Sequence, residues 1–181
     1  MYRQIPNALT LGRVGLIPLF VAACYWPQPK VGAAVAFTLF FLASITDWFD
    51  GWLARRWDAG SELGKCFDPI ADKLLIVTAL FMLPRLNGLY LLPALLIAGR
   101  EIFISGLREY LSGQRIVLHV TGLAKWKTAL QMLAIGLIVL SPAIAYPLSP
   151  VLLLLLWGAA GLTWVTGWDY FRKAWPHLRG Y

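Results

Sequence analysis

The chain has 181 residues, the length of one domain, but 59% of them are hydrophobic and only 14% are charged. Soluble domains average about 25% charged residues, so this composition excludes an ordinary soluble fold and predicts a membrane protein. The net charge of +7 comes from basic residues scattered among apolar segments, which argues against nucleic-acid binding and favours anionic lipid or phosphate as partner. We expect residues 1–181 to form a single membrane-embedded domain.

Six apolar stretches come close to the ~20 residues that a helix needs to cross about 30 Å of hydrocarbon. They cover residues 9–26, 31–52, 69–86, 89–111, 122–145 and 148–171. Prolines mark some of the boundaries between them. The pattern predicts an all-α polytopic protein with six transmembrane helices, and six crossings place both termini on the same side.

Lysine and arginine are distributed unequally between the two sides of this predicted topology. Lys30 and Arg85 lie on one side. The other side has eleven: Arg3, Arg55, Arg56, Lys65, Arg108, Arg115, Lys125, Lys127, Arg172, Lys173 and Arg179. Cytoplasmic loops carry the excess of positive charge, so we predict that both termini and the 53–68 and 108–127 loops are cytoplasmic.

Four aspartates interrupt the second and third apolar segments. Asp47 and Asp50 are spaced i,i+3, and Asp68 and Asp72 are spaced i,i+4, so each pair shares one face of a helix. A charged aspartate near the centre of a membrane helix costs about 2.5–3.5 kcal/mol, so four of them need cations. Hard carboxylate oxygens suit Mg²⁺ or Mn²⁺, and two divalent ions would balance the four charges.

Two of these aspartates, each taken by itself, would also fit a purely structural role without a metal. Asp47 and Asp50 would be satisfied by capping the helix or by ion pairs with Arg55 and Arg56 at the membrane interface. That role does not account for all four carboxylates, so the set as a whole favours a metal site.

The aspartates belong to a longer pattern, Asp47-x2-Asp50-Gly51-x2-Ala54-Arg55-x8-Gly64-x3-Asp68-x3-Asp72. It resembles the signature of the CDP-alcohol phosphotransferase family at every fixed position. The resemblance implies a six-helix membrane bundle, usually dimeric, with a polar cavity that faces the cytoplasm. It also implies that Asp47, Asp50, Asp68 and Asp72 bind two divalent ions and that Asp72 is in addition the general base. The CDP-lipid would contact Asn7, Thr10, Gly51, Ala54, Arg55, Ser61 and Gly64.

Three shorter matches resemble the branch of this family whose acceptor is glycerol 3-phosphate. They are residues 5–13, the run Arg100-Glu101-Ile102 and the run 125–128. This similarity implies transfer of the phosphatidyl group of CDP-diacylglycerol to glycerol 3-phosphate in a bacterial cytoplasmic (inner) membrane. The acceptor phosphate needs cations, and we predict that Arg100, Arg108, Arg115 and Lys125, with Lys127 as a further candidate, supply them.

Three alternatives to this assignment stay open. The cations of the 100–127 region would also be present if they only set the orientation in the membrane, and Glu101 would then simply pair with a neighbouring arginine. A sister enzyme would use inositol phosphate, serine or phosphatidylglycerol as acceptor. An ion-coupled transporter also places acids and arginines at membrane depth, but its acids should lie on several helices rather than on one helical pair.

Overall fold

The computed structural model describes residues 5–57, 62–114, 116, 118, 122–144 and 149–179, and within them the side chains other than those of 5–11, 47–57, 62–69, 72, 124, 125 and 149. The described residues form six α-helices and no strand. The helices are α1 (Ile5–Cys24), α2 (Pro29–Trp57), α3 (Glu62–Leu86), α4 (Leu91–Gly113), α5 (Leu123–Leu140) and α6 (Ser149–Leu178). Short 3-10 helices precede α4 (Gly88–Tyr90) and follow α5 (Ser141–Ala143).

The chain divides into two compact units. The first comprises residues 1–82 and 136–146, and the second comprises residues 83–135 and 147–181. Helices α3 and α5 therefore each contribute residues to both units. In the second unit the main helix contact is between α4 and α6.

Small residues allow α1 and α2 to pack closely in the first unit. Ala23 on α1 and Ala36 and Ala43 on α2 are almost fully buried. Gly32 lies so close to α1 that an added Cβ would be 2.6 Å from the carbonyl oxygen of Ala23. Helices in membranes associate by this kind of close contact because lipid provides no hydrophobic drive between them.

The outer surface of the second unit is apolar. On α4, Ile97, Ile104 and Leu111 are buried at helical spacing, while Ile102 and Phe103 on the opposite side are each 58% exposed. Large exposed apolar surfaces on this scale are typical of proteins that contact lipid. The surface therefore supports a membrane location independently of composition.

Four helical stretches among the described residues are long and apolar enough to cross a membrane. They are Pro29–Thr46, Gly88–Gly113, Trp126–Ala143 and Pro150–Leu178. The described apolar part of α1, Gly12–Cys24, is shorter. The all-helical membrane fold is thus confirmed, whereas six crossings and a cytoplasmic cavity stay predictions.

Helices α2, α3 and α6 extend beyond the ends that the hydropathy pattern predicted, whereas α5 ends at Leu140, before the predicted residue 145. Helix α2 continues to Trp57 and α3 begins at Glu62, so most of the predicted 53–68 loop is helical. Likewise α6 continues to Leu178 rather than ending near residue 171. Hydropathy marks where apolar residues end, but helical hydrogen bonds continue through polar residues with good helix propensity, such as Arg55 and Arg56.

The close approach at Gly32 gives a test of the α1–α2 packing. Gly32→Ala should destabilise the protein by about 1–3 kcal/mol, because the new methyl group meets backbone rather than a flexible side chain. Thermal unfolding in detergent micelles measures the effect. Gly15→Ala is the matched control on α1, since its Cβ meets nothing within 4 Å. Equal melting temperatures for the two variants would contradict this packing.

Candidate functional site

The four aspartates of the predicted metal site lie on helical backbone. Asp47 and Asp50 belong to α2, and Asp68 and Asp72 belong to α3. Both spacings therefore occur on helices, as the metal-site interpretation requires. The side chains of all four are outside the described set. Among the side chains that the structure does describe, no three His, Cys, Asp or Glu residues form a group.

The residues expected to contact the CDP-lipid are likewise known by backbone position only. Helix α1 contains Asn7 and Thr10. Helix α2 contains Gly51, Ala54 and Arg55, and α3 contains Gly64. Ser61 lies outside the described residues. Their roles stay predictions.

Arg13 on α1 is a buried cation in the first unit. Its side chain is 2% exposed, and it takes part in a polar or electrostatic interaction. An ionisable side chain buried in a membrane helix is costly and usually functional. Arg13 is the last residue of the 5–13 match, and the motif alone does not show that it is buried.

The predicted acceptor residues have different environments. Arg100 is buried in α4, whereas Arg108 is exposed on the same helix and its guanidinium carbon lies 5.6 Å from the ring centre of Tyr170. Arg115 and the side chain of Lys125 lie outside the described part of the chain. Of the two acceptor candidates whose side chains the structure describes, Arg100 is therefore the buried one.

Glu101 is shared by two cations. Nη1 of Arg100 donates a hydrogen bond to Oε1 of Glu101 at 3.1 Å, and Nζ of Lys127 on α5 donates to the same oxygen. Glu101 is 2% exposed and Lys127 is 7% exposed. These contacts join α4 to α5 inside the second unit.

Helix α6 provides the next contact of Arg100. Nη2 of Arg100 donates to Oγ1 of Thr166 at 3.1 Å, across 66 positions of sequence. Oγ1 of Thr166 itself donates to the carbonyl oxygens of Leu162 at 2.9 Å or Thr163 at 3.0 Å. Arg100, Glu101, Lys127 and Thr166 thus form one polar cluster, referred to below as the Glu101 cluster.

The described ion pairs of the Glu101 cluster join two cations, Arg100 and Lys127, to one anion, Glu101. Glu101 and Lys127 each take part in a further polar or electrostatic interaction as well. Burial of charge is tolerated where the groups are paired and hydrogen-bonded in this way. Arginine's planar donors and a neighbouring ammonium are suited to phosphate oxygens.

Two further buried polar side chains adjoin the cluster along its helices. Gln131 lies one turn after Lys127 on α5, and Thr163 lies three residues before Thr166 on α6. Within the described structure, neither amide atom of Gln131 nor the hydroxyl of Thr163 has a hydrogen-bond partner. A buried polar group without a partner costs about 1–3 kcal/mol, so this region is suited to a polar ligand or water.

The structure corrects one expectation and confirms another. Lys127 was counted with the predicted 108–127 cytoplasmic loop, but it is a buried residue of α5, whose start at Leu123 agrees with the apolar stretch predicted over residues 122–145. Glu101 does pair with a neighbouring arginine, Arg100, as the alternative without an acceptor site predicted. Thr166 was not identified from the sequence, since a lone threonine in an apolar helix gives no functional signal.

Comparison with known proteins agrees with the motif. The family model for CDP-alcohol phosphatidyltransferase matches residues 3–165.

Proteins named CDP-diacylglycerol–glycerol-3-phosphate 3-phosphatidyltransferase are similar over most of their length. The one from Cereibacter sphaeroides is 39% identical, with 97% of each chain covered. The one from Rickettsia felis is 43% identical, with 94% of each chain covered. The Arabidopsis thaliana protein whose name ends in 3-phosphatidyltransferase 2 is 36% identical, with 96% of this chain and 81% of the relative's chain covered. With a family match across most of its length and relatives this similar, the chain belongs to the CDP-alcohol phosphatidyltransferase family.

Proposed function

We propose that this protein transfers the phosphatidyl group of CDP-diacylglycerol to sn-glycerol 3-phosphate, producing phosphatidylglycerophosphate and CMP. A hydroxyl oxygen of the acceptor bonds to the phosphatidyl phosphorus, the bond from that phosphorus to CMP breaks, and the hydroxyl proton leaves. The relatives' names support both substrates. The observation that carries the acceptor assignment is the presence of two buried cations, Arg100 and Lys127, side by side in the Glu101 cluster, because a phosphorylated acceptor requires cations and serine does not.

The donor half of the reaction is assigned to α2 and α3. We propose that Asp47, Asp50, Asp68 and Asp72 hold two Mg²⁺ or Mn²⁺ ions, since carboxylate oxygens are the ligands these ions prefer. Such ions, when bound, neutralise the diphosphate and stabilise the departing CMP. Asp72 also accepts the proton of the attacking hydroxyl. Contacts to the CDP-lipid are assigned to Asn7, Thr10, Gly51, Ala54, Arg55, Ser61 and Gly64.

The acceptor half is assigned to the basic residues that follow. Arg100, Arg108, Arg115 and Lys125 remain our candidates for binding the phosphate of glycerol 3-phosphate. The burial of Lys127 beside Glu101 supports adding it to this set. Phosphoryl transfer depends mainly on positioning and on neutralising charge, which is what these cations would supply to the acceptor.

The proposal includes the setting of the enzyme. Residues 1–181 act as one domain that crosses the membrane six times and works as a homodimer. The excess of positive charge supports placing both termini and the active site on the cytoplasmic side. The bacterial relatives support the inner membrane.

The first test of this function is CMP release by purified protein supplied with CDP-diacylglycerol. Glycerol 3-phosphate should be the best acceptor, ahead of serine, inositol phosphate and phosphatidylglycerol. Exhaustive chelation should abolish turnover and added Mg²⁺ or Mn²⁺ should restore it, because four membrane-depth carboxylates need cations. A better rate with another acceptor would refute the acceptor assignment, and full activity after chelation would refute the metal site.

Asp72→Asn tests the general base separately from substrate binding. Its kcat should fall by about 10²–10⁴-fold, the usual contribution of a positioned base, and this fall should exceed any loss of CDP-diacylglycerol affinity that follows from the role of Asp72 as a metal ligand. Steady-state kinetics and a donor-binding measurement together distinguish the two effects. Wild-type kcat in this variant would exclude Asp72 from the chemistry.

Lys127→Met tests the acceptor phosphate site. It keeps the length of the side chain but removes its positive charge, so the KM for glycerol 3-phosphate should rise roughly 10- to 100-fold, as expected for the loss of a charge-assisted hydrogen bond. The KM for CDP-diacylglycerol should stay nearly constant. Lys173→Met is the matched control, because Lys173 forms an exposed ion pair with Asp169 at 2.8 Å. An equal rise in the KM for both substrates would contradict the assignment.

A further inference from the structure

We propose that Thr166 and Gly167 of α6 are positioning residues for Arg100, which set the direction of its guanidinium and thereby the affinity for the acceptor phosphate. This inference rests on the proposed function, since it takes Arg100 as a phosphate-binding residue. Neither residue belongs to the aspartate signature or to the basic residues named above. Residue 167 also lies beyond the 3–165 range of the family match.

Thr166 holds one end of the guanidinium by a hydrogen bond of defined direction. A threonine hydroxyl has one proton and two lone pairs. That proton is used within α6, on the carbonyl oxygen of Leu162 or Thr163, so a lone pair is left for Nη2 of Arg100. Because Thr166 is 6% exposed, water does not easily replace this contact.

Gly167 leaves the space that the Arg100 side chain occupies. A Cβ built at this position would lie 2.6 Å from Nε and 3.1 Å from Cγ of Arg100. Real Cβ atoms do not approach other atoms so closely, so an alanine here would push the arginine aside. The absence of a side chain at residue 167 therefore determines where Arg100 lies.

A cavity beside Arg100 explains why the arginine needs to be held. It has a volume of about 430 Å³, within the range of ligand-sized pockets, and its lining includes Arg100, Phe103, Trp164, Gly167, Trp168 and Phe171. The arginine stem borders this apolar space, and a long flexible side chain has room to move there. Hydrogen bonds from Nη1 to Glu101 and from Nη2 to Thr166 restrict that movement at both ends of the guanidinium.

The test uses substitutions that move Arg100 without changing any charge. Gly167→Ala and Thr166→Val should each raise the KM for glycerol 3-phosphate about tenfold, the effect of losing one hydrogen bond to a charged group, and leave the KM for CDP-diacylglycerol within about twofold. Thr166→Ser keeps the hydroxyl and should recover most of the affinity. Gly161→Ala is the control on α6, because its Cβ meets nothing within 4 Å.

Two further measurements separate the possible failures. Thermal unfolding in detergent should show similar stability for Thr166→Val and Thr166→Ser. If Thr166 had a purely structural role, Thr166→Val would instead lower the stability without a selective change in the acceptor KM. Arg100→Gln tests the underlying assignment. If it leaves the acceptor KM unchanged, the proposed role of Arg100 is wrong. If Arg100→Gln raises the acceptor KM but Thr166→Val and Gly167→Ala behave like wild type, the positioning role alone is wrong.

Discussion

The second unit of this protein is organised around one carboxylate that accepts hydrogen bonds from two cations. A charged residue at the centre of a membrane helix costs about 2.5–3.5 kcal/mol on insertion scales, so Arg100, in the middle of the Gly88–Gly113 span, requires a nearby anion. Lys127 is nearer the start of its helix but is also buried. Glu101 provides the anion, with Oε1 accepting from both side chains. Without Glu101, two adjacent buried cations would repel each other. The contact between α4 and α5 at this point therefore depends on its charge.

The same interaction holds two buried cations, Arg100 and Lys127, in place beside each other. In the proposed function these two cations bind the phosphate of the acceptor. Thr166 adds a contact from α6, which means that three helices contribute to the Glu101 cluster. In the proposed function, acidic residues on α2 and α3 hold divalent cations, and basic residues on α4 and α5 bind a phosphate.

Much of this arrangement was predictable from sequence because it depends on local patterns. Apolar stretches of suitable length predicted all six helices. The spacing of Asp47, Asp50, Asp68 and Asp72 requires helical backbone, and all four lie on it. Helix ends were less predictable, since hydropathy falls where arginines and glutamates begin while helical hydrogen bonds continue. For that reason α2 and α3 extend into the stretch 53–68 that was predicted to be a loop.

The contacts between distant helices were not predictable in the same way. Lys127 resembles any basic residue near a loop, and only its contact with Glu101 in the folded protein shows that it is buried. The bond between Arg100 and Thr166 joins residues 66 positions apart, and no periodicity or motif relates them. Gly167 carries no chemical group, so its importance follows only from the atoms of Arg100 that lie against it.

The most direct measurement is the binding of glycerol 3-phosphate itself, without donor and without turnover. Isothermal titration into detergent-solubilised wild type and Arg100→Gln isolates the phosphate contact from catalysis. We expect saturable binding to the wild type, no detectable binding of glycerol, and a large loss of glycerol 3-phosphate affinity in the variant with CDP-diacylglycerol binding retained. Equal affinity of the two proteins for glycerol 3-phosphate would contradict the assignment of the Glu101 cluster to the acceptor.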